Sequence, residues 1–166
     1  LLSPDLRLHA VSYFAEPVLR HQDRREWTLI AYSTANPEDA RTDELRPLAA
    51  EWRRLSGMAY VDIARLIQRD RIDVLIDLAG HTNGNALPAL HLKPAPIQMT
   101  WVGYPHSTGV PSVDYRIVDH ITDPAPPEGR WLCVEKPLYL DPCFVVWEPA
   151  AGVPEPTPHP PMEDRG

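Results

Sequence analysis

A short apolar segment in the middle of the chain follows directly on its clearest amphipathic helical pattern. The segment runs from Asp73 to Leu78, and its apolar residues are Val74, Leu75, Ile76 and Leu78. Such strands are typical of a parallel sheet that is covered on both faces. The helix before it is predicted from apolar residues at i, i+3, i+4 and i+7, namely Tyr60, Ile63, Ala64 and Ile67. A helix followed by such a strand indicates an α/β fold.

Helices and strands are predicted to alternate on both sides of that segment. A helical pattern covers residues 9–21, and a strand follows at Trp27–Ser33. A second helix is expected to begin near Glu38, with a buried face made of Leu45, Leu48, Ala49 and Trp52. A short helix ending at about Leu92 and a strand at 97–102 come next. This alternation predicts a doubly wound, mostly parallel, Rossmann-like sheet.

Length and charge limit the size of the fold and the choice of partners. The chain has 166 residues, of which 43% are hydrophobic, so one sizeable core and one domain are expected. Its net charge is -7, and no basic block occurs, which disfavours nucleic acid and anionic membranes as partners. The longest apolar runs are too short to cross a bilayer. We therefore expect a soluble, cytoplasmic protein.

The two ends of the sequence and its cysteines give three further expectations. The opening residues, Leu1 to Asp5, resemble the end of a strand and its turn, so we expect a piece of a longer protein. More than half of the 20 prolines lie at or after Pro124, which predicts an α/β lobe at 1–148 and a Pro-rich linker at 149–166. The two cysteines lack metal-ligand or disulfide-framework spacing, so buried, reduced thiols are expected at Cys133 and Cys143.

Three polar loops are expected at the carboxyl ends of predicted strands, where open α/β sheets bind their ligands. They are residues 3–9, 80–85 and 103–109. The third loop is rich in glycine and proline, and glycine lets backbone N–H groups approach a phosphate or a sugar. A methyl group added at Gly103 is therefore expected to hold a ligand away more than it disturbs folding. The alternative is a simple turn that joins two strands.

Candidate acid–base groups lie in the first two of these loops. Asp5 and His9 flank one turn, and imidazole titrates near neutral pH. In the alternative interpretation, Asp5 caps the following helix and His9 is a solvated residue of its first turn. His81 either donates to a ligand or closes a turn. Dinucleotide and phosphate-loop motifs and closely spaced aspartates are missing from the sequence, so neither a metal nor a cofactor is expected.

Six ordered blocks of sequence carry a family resemblance. They are Ser3–His9, Asp73–Thr82, Leu92–Gln98, Trp101–Gly109, Asp114–Tyr115 and Glu135–Lys136. Together they resemble the O-linked N-acetylglucosamine transferase family in its SPINDLY-like, bacterial and plant-type branch. The resemblance covers roughly residues 1–149.

The resemblance implies a two-lobe (GT-B type) glycosyltransferase, of which this chain would be the N-terminal catalytic lobe. Such enzymes move a sugar from a nucleotide-diphosphate donor to Ser or Thr of a protein, with inversion and without a metal. The donor expected first is UDP-N-acetylglucosamine. The implied partners are a protein acceptor, a second catalytic lobe and tetratricopeptide repeats of the same parent chain.

The resemblance also assigns roles to residues. His9 matches a histidine that lies against the donor sugar and diphosphate, and Asp5 matches an aspartate proposed to relay the acceptor's proton. Both are therefore the expected catalytic residues. The expected substrate-binding residues are Gly80, His81, Thr82, Val102, Gly103, Tyr104, Pro105, Thr108 and Gly109.

Three positions depart from the animal members of the family. Val11 stands in place of a threonine, His81 in place of a tyrosine, and His106 in place of a glycine. These departures leave open whether the donor sugar is N-acetylglucosamine or fucose. They also leave open a non-catalytic, protein-binding domain that keeps the fold without activity, and an unrelated nucleotide-binding α/β domain.

Overall fold

The computed structural model describes residues 1–126, 132–149 and 152–154, and within them one parallel sheet of seven strands. The strands are β1 (Leu2–Ser3), β2 (Ile30–Ser33), β3 (Glu51–Arg54), β4 (Val74–Asp77), β5 (Ile97–Thr100), β6 (Tyr115–Val118) and β7 (Lys136–Tyr139). The helices are α1 (Ala10–His21), α2 (Ala40–Leu45), α3 (Tyr60–Arg69) and α4 (Leu87–Leu90), with a 3₁₀ turn at Arg46–Leu48.

The order of strands in the sheet reverses direction at its centre. The order is β3-β2-β1-β4-β5-β6-β7, so β1 pairs with β2 on one side and with β4 on the other. Loops that leave β1 and β4 must therefore separate at the carboxyl edge, and a crevice forms between them. This doubly wound, Rossmann-like topology confirms the predicted fold class.

Each face of the sheet has its own hydrophobic core. The α3–α4 face buries Leu2, Tyr32, Leu55, Ile63, Ile67, Leu75, Leu87, Leu90, Val110 and Val113. The α1–α2 face buries Leu6, Val11, Ala15, Leu19, Ala31, Leu45, Leu78 and Trp101. Coverage on both faces explains why β4 reads as a continuous apolar run.

One predicted helix is wrong in its second half. Helix α2 ends at Leu45, the 3₁₀ turn follows, and residues 51–54 form the edge strand β3 beside β2. Trp52 therefore lies on a strand and not on a helix face. The prolyl ring of Pro47 suits the start of a short turn but cannot continue an α-helix. Strands β6 and β7 were not predicted.

The connection from β5 to β6, residues 101–114, contains no helix. It packs Val110 and Val113 onto the α3–α4 face, where a crossover helix would otherwise lie. Backbone groups outside regular structure need other partners. Here side chains supply them: Gln98 Nε2 donates to the Ser112 carbonyl at 2.8 Å, and Thr108 Oγ1 accepts from the Val110 N–H at 3.2 Å.

A strained turn follows β5. Val102 has φ 60°, and the Gly103 N–H donates to the Trp101 carbonyl at 2.8 Å, which makes a γ-turn of the rare positive-φ type. A Cβ built on Gly103 would lie 1.7 Å from the carbonyl oxygen of Leu78 and 3.3 Å from Val11 Cγ2. Gly103 is thus required for packing. The expectation that an added methyl would act mainly on a ligand is wrong.

A buried carboxyl group ends β4. Asp77 is fully buried, its Oδ2 accepts from the Gly80 N–H at 2.6 Å, and its Oδ1 has no hydrogen-bond partner. Burial raises the pKa of Asp77 to about 7, although the N–H groups of Gly80 and Ala79 act in the opposite direction. The group therefore titrates near neutral pH.

The remaining expectations on linkers, thiols and membrane spans have mixed outcomes. Most of the predicted linker at 149–166 lies outside the described residues. Cys133 is half-buried and Cys143 is exposed, so the expectation of buried thiols is wrong; both are free cysteines. Within the described ranges, the helices are all too short or too polar to cross a membrane.

Gly103→Ala should destabilise the full-length protein by about 3 kcal/mol, because the new methyl collides with backbone that cannot rotate away. Gly57→Ala is the matched control. Unlike Gly103, Gly57 has a positive φ, of 79°, but open space surrounds its Cβ position, so only the conformational cost of about 1 kcal/mol is expected. Urea unfolding of both variants measures the difference, and equal losses would contradict the packing role of Gly103.

Asp77 should lower the free energy of unfolding as pH rises from about 4 to about 7. Between the ordinary pKa of 3.8 and the folded value of about 7, the unfolded chain releases this proton while the folded chain keeps it. Asp77→Asn removes the titration and keeps an acceptor for Gly80. The stability of the Asn variant relative to wild type should therefore increase over this range in urea titrations. A constant difference between the two proteins would show that Asp77 ionises normally.

Candidate functional site

Three loops meet at the crevice between β1 and β4. They are residues 4–9 after β1, 78–86 after β4 and 101–109 after β5. The His81 Nε2 of the second loop lies 2.7 Å from the Thr108 carbonyl oxygen of the third. A Cβ on Gly84 would lie 3.0 Å from Pro4 Cβ, so the first two loops are also in contact. The predicted convergence of these loops is therefore present.

His9 lies at the point where the first loop becomes helix α1. It is the N-cap residue, with extended backbone, and its Nδ1 accepts from the Val11 N–H at 3.3 Å. Since Nδ1 is an acceptor, the proton of the neutral ring is on Nε2. The side chain is 44% exposed, and Nε2 makes no hydrogen bond to another described residue. His9 thus has an exposed, unused hydrogen-bond donor beside the crevice.

Asp5 lies beside His9 but is buried. Its Oδ2 is 3.8 Å from His9 Nδ1, too long for a hydrogen bond, and the carboxylate side chain is 7% exposed. The backbone N–H of Asp5 donates to Ser3 Oγ at 2.9 Å, which fixes the turn after β1. Asp5 does not cap α1, so the alternative interpretation is wrong for Asp5. For His9 it is partly right: the residue is exposed to solvent, but it is the N-cap of α1 and not a residue of its first turn.

The start of α1 favours a negatively charged ligand. The N-terminal end of a helix carries a partial positive charge, and the 12-residue α1 has no acidic residue in its first turn to neutralise it. This end lies directly after β1, at the crevice. The combination of helix terminus and imidazole donor can therefore hold a phosphate group.

The second loop is shaped around Gly80 and Tyr104. Gly80 has φ 52°, a conformation that favours glycine. A Cβ there would also lie 2.4 Å from Tyr104 Cβ, so a larger residue would collide with Tyr104. Thr82 closes the turn, because its hydroxyl donates to the Ala79 carbonyl at 2.9 Å and its N–H to the same oxygen at 3.1 Å. The ring of His81 is exposed and meets the ring of Tyr104 edge-on, with centroids 5.2 Å apart.

The third loop divides into exposed and buried halves. Val102 and Tyr104 are half-buried at the crevice, and Pro105 and Gly109 are exposed. Thr108 is buried; its N–H donates to Glu135 Oε1 at 2.7 Å, and its hydroxyl donates to the same carboxylate. Thr108 therefore holds the loop, and its polar groups are already paired within the chain.

Two buried carboxylates that shape these loops were missed from the sequence. Asp77 binds the Gly80 N–H, and Glu135 binds the hydroxyl groups of Ser107 and Thr108. For Asp77, the only signal in the sequence was that an acidic residue lies within an apolar segment. Glu135 lies 27 residues from Thr108, so no local pattern could connect them.

The enclosed space at this edge is small. A cavity of about 90 Å³ lies between Val102 and Tyr104 on one side and Arg116 and Asp123 on the other. Pockets for drug-sized ligands usually occupy about 300–1,000 Å³. A ligand of that size would therefore not fit within this cavity. In the described residues, no group of three or more His, Cys, Asp or Glu side chains is placed to bind a metal.

Comparison with known proteins gives concordant matches. The family model described as glycosyl transferase family 41 matches residues 1–152. The chain is 39% identical over 163 residues to the probable UDP-N-acetylglucosamine–peptide N-acetylglucosaminyltransferase SPINDLY of Arabidopsis thaliana, and 39% identical over 163 residues to SPINDLY of Oryza sativa. A solved structure of an O-GlcNAc transferase variant from Thermobaculum terrenum matches with a TM-score of 0.87 and 34% identity.

These matches include nearly all of this chain but a small part of each relative. The alignments cover 95% of this chain, against 18% of the Arabidopsis protein, 17% of the rice protein and 30% of the solved Thermobaculum chain. Since the family model extends over most of the sequence, the chain belongs to glycosyl transferase family 41.

Proposed function

We propose that this chain forms one side of the donor site in a protein O-glycosyltransferase. The enzyme would move a sugar, N-acetylglucosamine first, from a nucleotide diphosphate to Ser or Thr of a protein, with inversion. The observation that carries the proposal is the position of His9, whose Nε2 is a free, exposed donor beside the crevice, at the start of a helix without first-turn acidic residues. Because the chain spans 18% of its Arabidopsis relative, the remaining parts of the enzyme would include a second lobe.

His9 and the start of α1 would act on the diphosphate. As the acceptor oxygen bonds to the anomeric carbon, the bond from that carbon to the diphosphate oxygen breaks, and negative charge develops on the diphosphate. Hydrogen-bond donors fixed near that charge lower the barrier. The Nε2–H of His9 and the positive end of α1 are such groups, and neither has to rearrange during the reaction.

Asp5 would accept the proton of the acceptor hydroxyl. Its carboxylate is close to the imidazole of His9 but does not bond to it, so it retains acceptor capacity. Since the group is buried, we propose that the proton reaches it through a water molecule. The tetratricopeptide repeats and the protein acceptor would be supplied outside this chain, and the enzyme would act in the cytoplasm.

The non-catalytic alternative is less favoured. In this alternative, Val11 and His106 would prevent the donor from binding in the crevice. Val11 is buried in the α1–α2 core, next to Gly103, and His106 is exposed. Neither position argues for a blocked site, and the curated relatives carry glycosyltransferase names.

His9→Ala should lower turnover by on the order of a hundredfold, as when one stabilising donor is removed from an enzyme. It should also destabilise the protein by about 1 kcal/mol, because His9 caps α1. The matched control is His9→Ser, which restores a cap but offers no imidazole. The measurement is steady-state transfer to a Ser/Thr peptide by the full-length enzyme, with thermal melts on the same samples.

We expect His9→Ser to melt like wild type and to remain slow, which separates the chemical role from the capping role. Asp5→Asn should slow transfer as well, since an amide cannot accept the proton. Near wild-type transfer by His9→Ser would reduce His9 to a helix cap and remove the main support for the proposed site.

A further inference from the structure

Glu135 is a buried carboxylate whose hydrogen-bond donors lie in one irregular segment of the chain. It is 2% exposed and lies immediately before β7. Its oxygens accept from the Thr108 N–H at 2.7 Å, from the Ser107 hydroxyl at 2.7 Å and from the Thr108 hydroxyl. Burial raises the pKa of Glu135, but these hydrogen bonds outweigh burial and hold the pKa below its ordinary value. The group is therefore ionised at neutral pH.

The hydrogen bonds of Thr108 continue to the crevice. The Thr108 carbonyl accepts from His81 Nε2 at 2.7 Å. The ring proton of neutral His81 is thereby kept on Nε2, and Nδ1 is left as an acceptor. The same ring lies edge-on against Tyr104, which packs on Gly80. One chain of contacts thus joins Glu135 to the two loops that border the crevice.

Thr108 has no regular structure to hold it if this carboxylate is lost. The connection 101–114 contains no helix, and Thr108 is not paired to a strand. Its N–H and hydroxyl both depend on Glu135, and the Ser107 hydroxyl, which donates to Glu135, also accepts from the Gly109 N–H at 3.1 Å. Apart from the Gly109 contact, loss of the carboxylate would leave these hydroxyl groups, among the described residues, only the longer contacts of Thr108 Oγ1 with the Val110 N–H at 3.2 Å and of Ser107 Oγ with the Val134 N–H at 3.3 Å. It would therefore loosen the backbone at 107–109 and with it the partner of His81.

We propose that Glu135 is a positioning residue for the donor. It fixes Thr108, Thr108 fixes the ring of His81, and His81 presents Nδ1 as an acceptor to a hydroxyl group of the nucleotide-sugar donor. This inference rests on the proposed function, but its structural step can be measured without activity.

The test compares three variants of the full-length enzyme with wild type. Glu135→Gln weakens the contact with Ser107 and Thr108. His81→Phe keeps an aromatic edge for Tyr104 but cannot donate to Thr108; because His81 is exposed, this variant should fold even if the first does not. The double variant tests their coupling. The control is Asp70→Asn, a half-buried carboxylate, which accepts from the Tyr32 hydroxyl at 2.8 Å far from the crevice.

Each single variant should raise the donor KM about tenfold, which corresponds to about 1.4 kcal/mol of binding free energy, with kcat within about twofold of wild type. The double variant should raise the KM no more than the larger single effect, because both break one chain of contacts. Amide hydrogen exchange at 103–109 should be faster in Glu135→Gln. Asp70→Asn should lower the melting temperature without changing the donor KM or this exchange.

Several outcomes would overturn the inference. Additive KM effects would mean that Glu135 and His81 act separately. A melting-temperature loss in Glu135→Gln with an unchanged KM would make Glu135 a packing residue only. Unchanged amide exchange at 103–109 in Glu135→Gln would show that Glu135 does not fix this loop. Failure of the wild-type enzyme to transfer from any nucleotide sugar would instead contradict the proposed function.

Discussion

The fold depends on the pairing of β1 with β4 at the centre of the sheet. Strand β1 has only two residues, yet Leu2 aligns with Tyr32 of β2 on one side and with Asp77 of β4 on the other. The Leu78 N–H also donates to the Leu2 carbonyl at 2.9 Å. Leu2 itself is 1% exposed and belongs to the α3–α4 core. Both halves of the sheet, and the crevice between them, are therefore aligned by one short buried strand.

The parts of the fold that could be predicted are those with local signals. The spacing of apolar residues identified α3, and the continuous apolar run identified β4. Strand β3 has the sequence Glu-Trp-Arg-Arg, which shows no strand pattern. It forms because β2 offers an open edge, and its charged residues protect that edge from further pairing. Pairing of this kind is decided by tertiary structure, so the sequence alone could not show it.

The same limit applies to the candidate site. The loops could be located from topology, and His9 and Asp5 from their turn and from the family resemblance. The roles of Gly103 and Glu135 could not be inferred, because their partners are Leu78 and Thr108, which are remote in sequence. A glycine that serves backbone packing and one that serves a ligand look identical in a sequence, and only the carbonyl opposite Gly103 distinguishes them.

The polar groups around the crevice fall into two sets, and this division supports a site of fixed geometry. Thr82, Thr108 and the Nε2 of His81 have partners within the chain, so they hold the loops in place. Val102 also keeps a positive φ, a conformation that a branched residue keeps only when its surroundings impose it. The Nε2 of His9 has no such partner among the described residues. When a free hydrogen-bond donor is already held in a fixed position, little free energy is needed to orient it towards a ligand. Under that condition a single hydrogen bond contributes most to catalysis.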